Sequence, residues 1–113
     1  MRLKARFFGL ALLGLASGAS AEDHLLAGLA SAVAGASIAE DRCPGMRKDP
    51  MGEMKILSHM AQEGFPPTSI RIEIERQKKN MLAGFEKTGA KDWCRSAWEV
   101  FGPDNAIKTI KGE

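Results

Sequence analysis

The sequence predicts an all-α protein, a small bundle of about four short helices closed by one disulfide. In four stretches, apolar residues recur at the three- and four-residue spacing of a helix face, and each stretch is bounded by proline or glycine. No stretch alternates apolar and polar residues in the way that a half-buried strand does. The chain has two cysteines, Cys43 and Cys94, and their separation of 51 residues lets them join the first predicted helix to the last.

The amino-terminal residues have the organisation of an export signal. Three basic residues within the first six positions precede an apolar run over residues 7–15, and an Ala-Ser-Ala sequence ends at Ala21. The run is shorter than the roughly 20 residues that span a bilayer, so an uncleaved membrane anchor is disfavoured. We therefore predict a secretory signal peptide over residues 1–21 and a single helical domain over residues 22–113, without an integral membrane anchor after cleavage.

Removing the predicted signal changes the charge of the chain. The signal holds three of the 16 basic residues and none of the 14 acidic ones, which leaves 13 against 14 with the histidines neutral. Because the basic excess belongs to the signal, we predict no nucleic-acid partner. Export implies a periplasmic or secreted protein, and in an oxidising compartment a Cys43–Cys94 disulfide is stable. A domain this small is marginally stable without such a cross-link.

The first helix is predicted over residues 24–40, after an N-cap at Asp23. Gly28 and Gly35 each lower its propensity by about 1 kcal/mol relative to alanine, so the helix is expected to depend on packing. The Cys43-Pro44-Gly45 sequence ends it, because proline cannot continue the hydrogen-bond ladder. Its apolar stripe consists of Leu25, Leu29, Val33 and Ala36, flanked by Leu26 and Ala30.

The second helix follows a predicted loop over residues 46–48. Asp49 and Pro50 have the order of an N-cap and a first helical residue, and Gly64 is the predicted C-cap. We expect this helix to bury a face made of Met54, Leu57 and Ala61, with Ile56 and Met60 beside it.

The third helix has the longest apolar stripe in the chain. It follows a turn over residues 65–69, where Thr68 or Ser69 is the predicted cap, and it ends before Gly89. A stripe at this spacing predicts a helix of about five turns. Its members are Ile70, Ile74, Gln77, Met81 and Phe85.

The fourth helix is predicted to begin at Asp92 and to end before Gly102. In the tail beyond it, Ile107 and Ile110 are expected to anchor one further helical turn. The inward stripe of this helix consists of Cys94, Ala97, Trp98 and Phe101, with Trp93 at its edge.

No group of residues has the spacing of a catalytic site. The sequence contains no Gly-x-Ser-x-Gly, phosphate-binding loop or His-Glu-x-x-His motif. Glu73 and Glu75 fall on different faces of the third helix, so they do not form a carboxylate pair. The cysteines lack Cys-x-x-Cys spacing, and a structural disulfide is favoured over a redox-active or metal-binding pair. We predict no catalytic residue and no cofactor.

A methionine cluster is a candidate metal site. Four methionines and His59 lie close together in the sequence, and thioether and imidazole ligands suit Cu(I). The alternative is that Met54 fills a gap in the core while the others lie in or beside the loop. The candidate ligands are Met46, Met51 and Met54.

The two histidines lie far apart in the chain. His24 is near the predicted mature terminus, and with the α-amino group of Glu22 it could form an adventitious metal site. His59 is expected at the surface.

The aromatic residues of the fourth helix are the remaining candidates for binding. Trp93, Trp98 and Phe101 would form a binding patch if they were exposed, since aromatic residues are enriched in interface cores. The alternative, which we favour, is that they fill the core beside the disulfide, with Trp93 the more exposed tryptophan.

These observations predict an exported, non-catalytic helical protein that binds a protein partner or acts in the cell envelope. One alternative is a periplasmic protein that handles Cu(I) through its methionines. In size, compartment and cysteine spacing the chain is similar in outline to the HdeA type of acid-stress chaperone. That resemblance implies a second alternative, a holdase that exposes apolar surface in acid. The sequence identifies neither the partner nor the oligomeric state.

Overall fold

The computed structural model describes residues 21–113. Within this range the predicted all-α bundle of four helices, closed by a Cys43–Cys94 disulfide, is confirmed. The predicted signal peptide lies outside the described residues, apart from Ala21. No helix in the described range is both long and apolar enough to cross a membrane. In chain order the elements are α1 (Ala21–Arg42), β1 (Met46–Lys48), α2 (Pro50–Gln62), α3 (Pro67–Thr88), α4 (Ala90–Phe101) and β2 (Ile110–Gly112).

Helix α1 is the centre of the fold. Its middle turns are buried all round the helix, because small side chains let the other elements pack close to its backbone. Gly35 is part of this arrangement, since a Cβ added there would lie 2.7 Å from the Phe101 ring. Asp23 lies inside the first helical turn, and Leu25, predicted on the buried stripe, is exposed. Fully buried alanines of α1 are Ala30, Ala32, Ala34, Ala36 and Ala39.

Two hydrophobic clusters form the core. The leucine cluster surrounds the first half of α1, where it meets α2 and the first half of α3; it consists of Leu26, Leu29, Val33, Ile56 and Met60, with Phe65, Ile70 and Ile74 packed against it. The disulfide cluster surrounds the second half of α1; it consists of Ala36, Ala39, Cys43, Cys94, Ala97 and Ile110, with Met46, Phe85, Trp93 and Phe101 packed against it. Because the first halves of α1 and α3 share one cluster and their second halves share the other, the two helices run in the same direction.

Helix α2 begins as predicted but buries a different face. The Asp49 carboxylate accepts hydrogen bonds from the backbone N–H groups of Met51 at 3.1 Å and Gly52 at 3.3 Å. Ile56 and Met60 face the leucine cluster, whereas the predicted stripe is turned to the outside. The centres of the two stripes lie roughly a third of a turn apart on the helix, at 100° per residue, so the helix face that packs against α1 is centred on Ile56 and Met60 and leaves the predicted stripe outside. The wrongly predicted buried residues are Met54, Leu57 and Ala61.

The chain also contains two short strands that were not predicted. Residues 46–48, predicted as a loop, form β1, and the tail predicted as a helical turn instead forms β2. They pair antiparallel, with Met46 opposite Gly112 and Lys48 opposite Ile110. Strands of three residues are too short for alternation to be visible in a sequence.

The carboxyl-terminal tail is fastened to the centre of the fold. Thr109 is fully buried, and its Oγ1 donates a hydrogen bond of 2.8 Å to the backbone carbonyl of Ala32. Its own carbonyl accepts from the Asp49 N–H at 2.9 Å. These bonds position Ile110 in the disulfide cluster.

Helices α3 and α4 begin differently from the prediction. The residue before α3 is Pro66, which makes no side-chain cap, and Thr68 and Ser69 lie inside the first turn. Helix α4 begins at Ala90, after Gly89 with φ of 95°, rather than at Asp92. The predicted stripe of α3 faces inward and is partly buried along its length.

Candidate binding surfaces

An apolar groove lies between the end of α2 and the beginning of α3. Its volume is about 500 Å³. Arg71 and Glu75 are its charged residues. We call this surface the α2–α3 groove, and its apolar lining consists of Leu57, Ala61, Phe65, Pro67, Ile70 and Ile74.

The connection between the two helices accounts for the groove. Gly64 follows the end of α2 and has φ of 94°, a conformation that favours glycine. Two prolines then lead directly into α3, so the helices are joined by a short, stiff segment. The inner wall belongs to the leucine cluster through Phe65, Ile70 and Ile74, while Leu57 stands at the outside with 36% exposure. The predicted core stripe of α2 therefore contributes Leu57 and Ala61 to a surface.

The predicted aromatic residues do not form one patch. Trp93 and Phe101 are partly buried against the disulfide cluster, and together they line a shallow apolar cavity of about 250 Å³. Trp93 also packs on Phe85, with ring centroids 5.5 Å apart. Trp98 is the exposed tryptophan, at 38%, and its ring lies beside Gly112 in β2. The prediction that Trp93 is the more exposed of the two was wrong, because α4 turns Trp93 toward α3.

The environment of Cys43 and Cys94 is that of a structural disulfide. Both are buried within the disulfide cluster, and the described residues contain no free thiol. Thiol exchange requires that an external thiolate reach one of the sulfurs. Burial therefore supports the structural role over a redox role.

The methionine cluster is divided between different environments. Met46 is part of β1 and packs against the disulfide cluster, whereas Met51 and Met54 lie on the outer side of α2 with 63% and 61% exposure. The prediction that Met54 fills the core was wrong, since Met60 occupies that place. His59 is exposed, with its Nε2 3.7 Å from a Glu63 carboxylate oxygen. Among residues 21–113, no three His, Cys, Asp or Glu side chains are grouped to hold a metal.

Glu73, which the sequence separates from Glu75 on the faces of the third helix, is a buried carboxylate. It is 9% exposed, and it accepts a hydrogen bond of 2.8 Å from the Gln77 amide. The Arg76 guanidinium lies 3.2 Å from its other oxygen. Gln77 is a polar residue on the otherwise apolar stripe of α3, and this was the sequence feature that could have indicated a buried polar partner. Both carboxylate oxygens are occupied within one helix, so this group has a local structural role.

Comparisons with protein-family models, with curated proteins and with solved structures find no match to this chain.

Proposed function

We propose that this protein is an exported, non-catalytic module that binds an apolar segment of a partner protein in the α2–α3 groove. The groove itself is the observation that carries the proposal. Its volume of about 500 Å³ lies within the range of roughly 300–1,000 Å³ that is usual for binding sites. A small domain that leaves this much apolar lining open to solvent has a surface that a partner can cover.

An amphipathic helix is the occupant that fits best. Leu57 and Ala61 are one turn apart on α2, and Ile70 and Ile74 are one turn apart on α3, so both walls repeat at helical spacing. Helices that bind in such grooves present apolar residues at the same spacing. Arg71 and Glu75 add a positive and a negative charge, again one turn apart. We therefore expect an acidic and a basic residue one turn apart on the partner helix.

The cellular location is part of the same proposal. The signal-like sequence over residues 1–21 and the buried disulfide both support export into an oxidising compartment. The periplasm is the compartment we propose, and the chain that works there begins at Glu22.

Site-specific photo-crosslinking in the source cell tests the groove. A photoreactive amino acid at Leu57 should crosslink to a partner within an amphipathic helical segment, while the same group at Met51, on the outer side of α2, should not. Equal labelling from both positions would contradict the proposal. Crosslinking to a second copy of this chain, or to a non-protein ligand, would show that the groove binds that molecule instead of a helix of a partner protein.

A synthetic peptide of the crosslinked segment then provides the quantitative test. Ala61→Glu puts a charge against the apolar lining and should weaken peptide binding more than about tenfold. Gln62→Glu adds the same charge at the adjacent exposed position, outside the groove, and should leave binding unchanged. A client-aggregation assay at low pH separates this function from an acid-stress holdase, which would protect clients without a defined segment.

One observation favours Cu(I) handling as a second candidate. Met51 and Met54 are both exposed and lie three residues apart on α2, which makes them neighbours on the helix surface. Replacing both with leucine should abolish Cu(I) binding and preserve the circular dichroism spectrum. Unchanged Cu(I) affinity would rule out this candidate.

A further inference from the structure

The proposed cleavage after Ala21 creates a new amino terminus with the sequence Glu22-Asp23-His24. A histidine at the third position brings four nitrogen atoms within reach of one metal ion. These are the terminal amine, the next two backbone nitrogens and the imidazole Nδ1. Consecutive backbone nitrogens close five-membered chelate rings, and the histidine side chain closes a six-membered ring. Four nitrogens in a plane are the preferred donor set of Cu(II) and Ni(II).

We propose that the amino terminus of the processed chain is a Cu(II) site, formed by the α-amine of Glu22, the backbone nitrogens of Asp23 and His24, and the imidazole Nδ1 of His24. This inference rests on the proposed export, because only cleavage after Ala21 makes His24 the third residue. The site is distinct from the methionine pair of α2, whose soft thioethers suit Cu(I).

The amino-terminal segment that would hold the metal lies outside both core clusters. Residues 21–25 are all exposed, and the first α1 residue that belongs to a core cluster is Leu26. Metal coordination in a plane requires that the first turn of α1 unwind. Gly28, the next position of low helix propensity, is exposed, and a Cβ there would contact nothing within 4 Å. Unwinding that ends before Leu26 leaves every residue of both core clusters in place.

The backbone chemistry is also favourable at this position. In a chain that begins at Glu22, no carbonyl exists four residues before His24 to accept its N–H within the helix. Replacing that proton with a metal ion therefore breaks no intrahelical hydrogen bond. Binding releases the proton of the α-ammonium group and those of two backbone amides. Since an α-amino group has a pKa of about 7.7–8.0, affinity should fall as the pH is lowered below neutrality.

The first experiment establishes the terminus. The complete gene is expressed in a bacterium, the protein is purified from the periplasm, and its amino-terminal sequence and intact mass are determined. A chain that begins at Glu22 satisfies the requirement for the site. Any other terminus overturns both the proposed cleavage and the metal site.

The second experiment measures Cu(II) binding to that processed chain. We expect one equivalent, with the visible absorption and electron paramagnetic resonance spectra of a square-planar nitrogen site. His24→Ala should lower the affinity more than about 100-fold, because loss of an outer-sphere partner alone costs 10–100-fold. His59→Ala, which removes the other exposed helical histidine, should leave the affinity and both spectra unchanged.

A matched chain that begins at Ala21 tests whether binding depends on the distance of His24 from the amino terminus. Both clusters of the core lie beyond position 25, so this chain retains every core residue. It moves His24 to the fourth position, and the square-planar spectrum should be lost. If the chain beginning at Glu22 binds no Cu(II), or if His24→Ala or the added Ala21 has no effect, the metal site is overturned while the proposed export stands.

Discussion

The leucine cluster and the disulfide cluster lie at opposite ends of the same two helices, and they are built by different means. Around the disulfide cluster, α4, β1, β2 and the tail converge on the second half of α1, and a covalent bond joins two of the elements. Around the leucine cluster, the elements that meet among residues 21–113 are α1, α2 and α3, and larger aliphatic side chains supply the burial. The end with the disulfide cluster, which we call the closed end, is cross-linked and bears the smaller cavity, of about 250 Å³; the other end bears the α2–α3 groove, of about 500 Å³.

This difference suggests how a small domain can keep a binding surface open. A chain of this size is only marginally stable by packing alone. A cross-link at one end stabilises the whole domain by restricting the unfolded chain. The other end can then leave Leu57 and its neighbours exposed to solvent without loss of the fold.

Removing the disulfide should have the largest effect. In the double variant Cys43→Ala/Cys94→Ala, the free energy of unfolding should fall by about 4 kcal/mol, because the bond closes a loop across 51 residues. Urea unfolding measures the loss, and hydrogen exchange should show faster opening of α4 and the strands than of α2. A loss below about 1 kcal/mol would mean that packing, rather than the cross-link, holds the closed end.

Truncating Met60 should have the next largest effect on the free energy of unfolding. It should act on the leucine cluster, at the opposite end of α1 from the disulfide. Met60 is fully buried in the leucine cluster, so Met60→Ala should lower the free energy of unfolding by about 3 kcal/mol. Met54→Ala removes the same atoms from the exposed side of α2 and should change stability by less than about 0.5 kcal/mol. Equal losses in urea unfolding would show that the assigned buried face of α2 is incorrect.

The smallest expected effects on stability come from replacing the two glycines of α1 with alanine. One substitution should stabilise the protein and the other should destabilise it. Gly28→Ala adds a methyl group in open space and should stabilise the helix by about 0.5–1 kcal/mol. Gly35→Ala places the methyl 2.7 Å from the Phe101 ring, and this crowding should outweigh the gain in propensity by about 1 kcal/mol. Thermal unfolding of both variants checks the contrast. Stabilisation by both would mean that Phe101 moves aside freely.

The sequence predicted more of the fold than of the surface. The positions of the helices could be predicted because helix caps, helix-breaking residues and apolar periodicity are local features of the sequence. Asp49 before Pro50, for example, marked the start of α2 correctly. The α2–α3 groove could not be read, because Leu57 and Ala61 are apolar and looked like core residues. Whether an apolar stripe is covered depends on which side of α2 meets α1, and that is settled by packing rather than by periodicity.

The sequence by itself determined the four helices of the described residues and the pairing of Cys43 with Cys94, since both follow from local spacing and from a count of two cysteines. Only the tertiary structure decided the inward face of α2, the pairing of β1 with β2, and the burial of Thr109. The hydrogen bond from Thr109 to Ala32 joins residues 77 positions apart. No local pattern encodes such a contact, because it forms only when the whole chain has packed around α1.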